Sequence, residues 1–542
     1  MKCFKSNIKS LYTLRFVLVN IFLLISIASY PQLYDTRTTI QKFNAAFQVV
    51  SMAYVDSVNH QELTENAIRG MLKELDPHSV YMTKEEIRKA NEPLIGNFDG
   101  IGVQFQIYKD TILVITPVPG GPSDKLGIMA GDKIVKINGE DATGPKINNE
   151  YVMERLRGKK GTEVDITIFR DGQKDLLDFT IVRDKIPLHS IDASFMVSSE
   201  TGYIRLSRFA RTTMKEFADA VNSLKSKGMQ NLILDLRNNS GGFLDVAVDL
   251  SDEFLDNEKM IVYTEGLKSP RQDFKATSRG ALHNGKIIVL INEGSASASE
   301  IVSGAIQDWD RGLVMGRRSF GKGLVQRPFT LPDSSVIRLT TARYYTPAGR
   351  SIQKPYNEGV AQYRKELQKR LEHGEMVHAD SIRFPDSLKF LTNNKRVVYG
   401  GGGIMPDIFL PVDTAFNSKY YNKLSRKGVF NSFTLEYMSK NRRSLETDYS
   451  DVDDFNIKFN ADKAFLDSFV AFAEKEGVAK DEEGLQASGM YIVAMLKALI
   501  ARNLFDTSAY YVVISSIDKE LQQAIKTMSD DKAFKNILVN NQ

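Results

Sequence analysis

The chain has 542 residues, 42% hydrophobic and 25% charged. That size calls for roughly two to four domains, and the balance excludes wholesale disorder and a polytopic membrane protein. The formal charge of +4 comes from Lys2, Lys5, Lys9 and Arg15, beyond which 67 basic residues face 67 acidic ones, so nothing global points to nucleic acid. The single cysteine, Cys3, sits in the same leader, which removes disulfide scaffolds, thiolate metal sites and cysteine catalysis from the rest.

The leader reads as an export signal over residues 1–28. A basic start precedes an apolar run from Phe16 to Ala28, and Ser26 and Ala28 supply small residues at a cleavage site. The run is short for a bilayer span of about 20 residues, which favours a cleaved signal over an uncleaved anchor. Either form puts the remaining chain outside the cytoplasm.

Residues 35–95 carry helical periodicity: Phe43, Ala46, Phe47, Val50 and Tyr54, then Ala67, Met71, Leu72 and Leu75, with Asp76-Pro77 as a stop. From Gly96 the texture is β-rich. Ile101, Val103, Phe105 and Ile107 alternate, Thr111 to Ile115 follows, and Lys133 to Ile137 ends in an Asn138-Gly139 turn. A helix near Asn149–Arg157 and a strand at Val164–Arg170 complete a module placed at 96–185. From Gly202 strands alternate with helices: Tyr203–Leu206, a helix through Phe217 and Leu224, the apolar run Leu232–Leu236, a helix through Leu244 and Leu255, Lys286–Asn292, and a helix over Ala298–Trp309. That order predicts a mainly parallel sheet covered on both faces. The α/β core is placed at 190–412, followed by helices over 413–542.

The chemistry concentrates where one buried strand gives way to a helix, at Asn292-Glu293-Gly294-Ser295-Ala296-Ser297-Ala298-Ser299-Glu300. A helix start offers free N–H groups to a developing oxyanion. The Gly241-Gly242 turn ends the preceding strand, so a parallel sheet brings both turns to one edge. Alternatively, Ser295 or Ser299 simply caps the helix. None of the six histidines has the context of a catalytic partner, no Gly-x-Ser-x-Gly elbow occurs at these serines, and no metal-ligand spacing is present. Lys322 stands out because Gly321 and Gly323 bracket it, which invites another segment to approach closely. For such a lysine to act as a base near neutrality, burial must remove roughly 4 kcal/mol of its preference for the ammonium form. Gln326, four residues on, can orient the amine without raising its pKa as a carboxylate would.

These residues resemble the carboxy-terminal processing peptidases, also called tail-specific proteases. The resemblance spans about residues 35–412 and rests on Leu75-Asp76-Pro77-His78-Ser79, Gly100-Ile101-Gly102-Val103, Arg157 to Thr162, Leu234 to Gly242, Gly294 to Glu300, Gly321-Lys322-Gly323 and Gly401 to Asp407. It implies a ClpP/crotonase-like α/β protease core, an inserted PDZ-like module and flanking helical regions. It further implies Ser297 as nucleophile, Lys322 as base and Gln326 as its partner. The oxyanion donors map to the N–H of Ala298 and of Gly241 or Gly242. The PDZ-like loop Gly100-Ile101-Gly102 would receive a chain-terminal carboxylate while a strand edge pairs with the tail. Arg157 falls in a segment associated with coupling of that module to the protease.

The function read from this resemblance is an exported serine endopeptidase, periplasmic or periplasm-facing and anchored. It would cut proteins near accessible C-terminal tails, without metal or organic cofactor and without nucleic acid, with homodimerisation through the N-terminal helices as in relatives. Two rivals remain in view. Ser319-Phe320-Gly321-Lys322 has the Ser-x-x-Lys spacing of penicillin-recognising acyl enzymes, and a PDZ-like module on a degenerate core would make a non-catalytic tail-binding scaffold.

Overall fold

The computed structural model describes residues 36–382, 385–414 and 418–539, and the leader read over 1–28 lies outside them. The chain divides into two units after Leu72. The first holds α1 (Thr36–Ala53) and nearly all of α2 (His60–Lys73). Ile40, Phe43, Phe47 and Val50 share one face of α1, yet none of its residues is buried.

The second unit opens with β1 (Val80–Met82) and α3 (Lys84–Ile95). Thr83 and Glu86 start α3 by exchanging side-chain and backbone bonds of 3.2 and 2.7 Å, and Gly96 ends it at φ 85°. Strand β1 was not expected. Its three residues pair with 336–338, a partner no local period announces.

The β-rich module comprises β2 (Asn97–Gly100), β3 (Val103–Tyr108), β4 (Thr111–Pro117), α4 (Pro122–Lys125), β5 (Lys133–Ile137), β6 (Glu140–Asp141), α5 (Asn149–Leu156), β7 (Glu163–Phe169), β8 (Leu177–Val182) and β9 (Asp184–Pro187). Its sheet runs β3-β4-β5-β7-β8, so β3 is an edge. Asn138 and Gly139 turn the β5–β6 hairpin with φ of 50° and 78°, as an Asn-Gly turn should. Val152 and Leu156 of α5 pack onto Ile112, Ile134, Ile166 and Ile181.

The core follows: β10 (Ile191–Met196), β11 (Thr201–Leu206), α6 (Thr213–Ser226), β12 (Asn231–Asp235), α7 (Leu244–Asp252), β13 (Met260–Gly266), β14 (Ser269–Lys275), β15 (Ile287–Ile291), α8 (Ala298–Asp308), β16 (Leu313–Gly316), β17 (Leu324–Thr330), β18 (Val336–Tyr345), α9 (Val360–Glu372), β19 (Lys389–Leu391), β20 (Val397–Tyr399) and β21 (Ile408–Phe409). The main sheet runs β10-β11-β12-β15-β16-β21 and is parallel from β11 onward. Alternate residues of each strand face opposite ways. Leu232, Leu234, Val289 and Ile291 join a core with Phe217, Leu250 and Val302 of α6–α8. A second sheet orders β1-β18-β13-β14, with β17 also on β18.

The carboxy-terminal helices are α10 (Lys419–Arg426), α11 (Val429–Asp448), α12 (Val452–Lys458), α13 (Lys463–Lys475), α14 (Glu482–Leu504), α15 (Thr507–Ile514), α16 (Lys519–Ser529) and α17 (Asp531–Val539). Helices α10–α15 enclose their own aromatic core around Phe433, Phe455 and Phe469, with the apolar α14 running through it. Helices α16 and α17 do something else. Leu521, Ala524, Met528 and Phe534 cover Ile233, Ile288, Leu290 and Met315, the second face of the main sheet. Residues beyond 412 therefore finish the sandwich around the main sheet as well as building a bundle of their own.

Candidate active site

Parallel strands β12 and β15 deliver their C-terminal turns to one edge, and side chains bind the two turns together. Asn292 accepts the Asn238 N–H at 2.8 Å and donates to Asn238 Oδ1 at 2.9 Å. Ser295 Oγ accepts the Asn292 N–H at 2.9 Å and donates to the Leu236 carbonyl at 2.8 Å, while Ser299 Oγ donates to the Asn239 carbonyl at 2.8 Å. Both outer serines are buried and occupied by backbone. Neither caps the helix: the cap of α8 is Ser297, which holds φ 55° and ψ −112°, a conformation unusual for a residue with a Cβ.

Gly241 and Gly242 differ in what they offer. A Cβ on Gly241, whose φ is 102°, would lie 2.9 Å from Ser297 Cβ, and one on Gly242 would lie 2.1 Å from the Phe209 carbonyl oxygen. The Gly241 N–H is already given to Asn239 Oδ1 at 2.9 Å. The N–H groups of Gly242 and Ala298 have no acceptor among the described residues.

Glu300 organises the site, a role sequence reasoning missed. Its buried carboxylate accepts the N–H groups of Ser297 (2.8 Å), Gly321 (2.7 Å) and Lys322 (2.9 Å) and the hydroxyl of Ser319 (2.5 Å). One side chain thus clamps the serine turn to the lysine loop. Burial pushes its carboxyl up to about 7 against those four bonds, which favour the charge. The only advance signal was its place three residues after Ser297, the spacing of a capping box.

The glycines around Lys322 are required by close approach. A Cβ at Gly321 would meet the Gly403 nitrogen at 3.1 Å, and one at Gly323 the Gln353 nitrogen at 2.9 Å. Burial first, then the charge of Arg338, lowers the Lys322 pKa, with Glu300 and Asp76 acting the other way. No hydrogen bond joins Ser297 Oγ to Lys322 Nζ among the described residues.

Just past a bulge between Val325 and Gln326, Gln326 Nε2 donates to Thr340 Oγ1 at 3.3 Å, and no hydrogen bond joins its side chain to the Lys322 amine among the described residues. Thr340 passes the bond to Asp76 at 3.1 Å, whose carboxylate also accepts the N–H groups of His78 and Ser79. His78 Nε2 contacts the Tyr363 hydroxyl at 2.8 Å. Burial, then Lys322, brings the His78 pKa down to about 4.

A cavity of about 790 Å³ joins these parts. Ser297, Ala298, Lys322, Gln326, Gly241 and Gly242 all line it, and α3 supplies a wall through Ile87, Ala90 and Leu94. The acyl-enzyme rival fails here, because Ser319 is fully buried, with its Oγ held between Glu300 and the Ile404 N–H (2.6 Å). In the β-rich module, Gly102 takes φ 76°, and the N–H groups of Ile101 and Gly102 have no acceptor among the described residues. Arg157 donates to Glu92 of α3 at 2.6 Å and lies 4.4 Å from the Phe98 ring centroid.

Comparison with known proteins agrees with this architecture. Residues 200–362 match peptidase family S41, 100–181 a PDZ domain, 27–86 the N-terminal domain of the activating protease CtpB, and 420–506 a family of unknown function. The carboxy-terminal-processing protease of Bartonella bacilliformis is 40% identical over 324 residues, covering 59% of this chain and 74% of that protein. The carboxy-terminal processing protease CtpA of Bacillus subtilis is 35% identical over 314 residues, covering 58% and 66%. Among solved structures, a photosystem II D1 C-terminal processing protease is 29% identical with a TM-score of 0.33, covering 57% and 89%. By sequence and by its S41 and PDZ parts, the chain belongs to the carboxy-terminal processing peptidases, a family of serine-type endopeptidases.

Proposed function

We propose that this chain is an exported endopeptidase that captures C-terminal tails on its PDZ domain and cuts with Ser297 and Lys322. Ser297 Oγ attacks the scissile carbonyl while the neutral Lys322 amine takes its proton. The N–H groups of Gly242 and Ala298 receive the tetrahedral oxyanion. Lys322 then protonates the leaving amine, and water hydrolyses the acyl-enzyme by the same route in reverse. The observation that carries this reading is the meeting in one cavity of Ser297 at its strained turn, two unengaged N–H groups and a lysine depressed by burial. Dyads without substrate are often loosely aligned, and the Ser297–Lys322 bond closes when substrate enters.

Among the described residues strand β17 pairs only with β18, so its open edge, carrying Gln326 and Pro328 into the cavity, suits an extended substrate backbone. The edge strand β3 and the N–H groups of Ile101 and Gly102 suit a tail and its carboxylate. Arg157 bonds the PDZ side to α3, which walls the cavity, giving tail binding a short path to the site. The apolar stripe of α1 supports a homodimer, and the leader supports export.

Purified Ser297→Ala and Lys322→Ala proteins should stay folded and lose tail-peptide cleavage, and a fluorophosphonate should label Ser297 in the unmutated protein. Full activity in either variant would refute the assignment.

A further inference from the structure

We propose that the catalytic cavity selects peptide segments carrying an Asp or Glu side chain close to the scissile bond, with Arg208 and Arg338 as the carboxylate receptors. This rests on the peptidase reading above and supplies its substrate class. Three charged residues line the cavity, Arg208, Lys322 and Arg338, and all are basic. With Lys322 neutral for catalysis, two guanidinium groups remain.

Elsewhere in this chain the most deeply buried arginines are matched, whereas the half-buried Arg502 resembles Arg208 and Arg338 in having no hydrogen bond or ion pair among the described residues but does not line the cavity. Arg237 meets Asp235 and Asp518, each at 2.7 Å, Arg350 meets Asp308 at 2.6 Å, and Arg396 meets Asp310 at 2.7 Å and Asp407 at 2.5 Å. Arg311 spends its donors on backbone carbonyls instead, and Arg183 on backbone carbonyls and the Thr162 hydroxyl. Arg208 and Arg338 are half-buried, and neither side chain has a hydrogen bond or ion pair among the described residues. The nearby acids are engaged. Asp192 feels the charge of Arg208 but accepts the Ser207 hydroxyl at 3.0 Å, Asp76 is taken by His78, Ser79 and Thr340, and Glu300 by its four donors. A guanidinium carries five donors, and in an open cavity those not given to the protein stay available to a ligand carboxylate.

The two receptors belong to different walls. Arg208 precedes Phe209, whose N–H bonds the Gly241 carbonyl and whose carbonyl accepts the Phe243 N–H, each at 3.0 Å. Arg338 lies opposite Pro328 on the sheet that carries Gln326. A peptide passing Ser297 therefore meets one cation from the glycine-turn side and another from the lysine side. The terminal α-carboxylate is assigned to the PDZ loop, which leaves side-chain carboxylates for this pair.

The test uses the full chain as Ser297→Ala, so that binding is read without turnover. Its probes are fluorescent peptides, acetylated and amidated to silence the PDZ loop, with Glu or Gln scanned along one unstructured sequence of otherwise uncharged residues. Glu at one or more positions should tighten binding about tenfold over Gln, as a charge-assisted bond does, and the gain should shrink with salt. Adding Arg208→Gln or Arg338→Gln should erase the Glu advantage at the position each serves, whereas Arg→Lys should retain part of it. Glu and Gln peptides bound within twofold at every position, or an advantage untouched by both variants, would overturn the inference. Absence of cleavage by the unmutated protein would instead count against the peptidase reading and leaves the binding comparison to decide this one.

Discussion

Replacing Glu520 by alanine tests whether the carboxy-terminal helices hold the catalytic turns or merely cover the sheet. Glu520 stands in the first turn of α16 and bridges two arginines of the core. One oxygen accepts from Arg237 Nη1 at 2.9 Å and the other from Arg317 Nη1. Arg237 immediately precedes the Asn238–Gly242 turn, and Arg317, just past β16, also holds Glu293 of the serine loop at 2.8 Å. The three side chains are 11%, 6% and 12% exposed, so the charges see little water. Breaking a buried ion pair costs ~3–5 kcal/mol. Because Asp518 still holds Arg237 and Glu293 still holds Arg317, the lower end applies, about 3 kcal/mol. For a core of this size, that corresponds to an unfolding midpoint lower by roughly 6–12 °C. Calorimetry gives the stability, and peptide kinetics far below the transition separate stability from function. We expect kcat to fall more than KM changes, with Glu520→Gln intermediate. Glu520→Ala within 1 kcal/mol of the unmutated protein, at unchanged kcat, would refute the reasoning and make the extension a passive cover.

Three further outcomes follow from the site. Gly241→Ala should cut kcat at least about a hundredfold, the scale of a lost oxyanion donor, because its Cβ would press on Ser297 Cβ at 2.9 Å and on the nitrogen of Ala298, a proposed donor, at 3.0 Å; circular dichroism should show the fold intact. The pH–rate profile should rise with pH through a limb below the range of a free lysine, since burial and then Arg338 lower Lys322 and the neutral amine is the active form. Arg338→Gln removes a cation, raises the Lys322 pKa and should move that limb to higher pH. Glu300→Gln places an amide among four donors, N–H and O–H, where only an acceptor fits; fluorophosphonate labelling of Ser297 should drop more than tenfold, the range of a first-rank structural bond to a charged group.

Much of this protein is decided by neighbours in sequence. The α/β alternation, the Asn138-Gly139 hairpin, the buried run Leu232–Leu236 and the glycines flanking Lys322 all express short-range rules, namely strand and helix periods, positive φ and lack of a Cβ. Those rules locate the serine turn and the lysine loop as unusual places. They do not say which of three serines is held by backbone, which glycine N–H stays unengaged, or that Glu300 ties both loops together. They also miss the bulge before Gln326 and the bond from Gln326 to Thr340. Each of those depends on what approaches from far along the chain, as Glu520 approaches Arg237 across 283 positions. Periodicity records which face of an element is apolar, but not which distant element covers it. So the second layer of the sheet, supplied by α16 and α17, and the meeting of Arg208, Lys322 and Arg338 in one cavity arose only when the chain closed on itself.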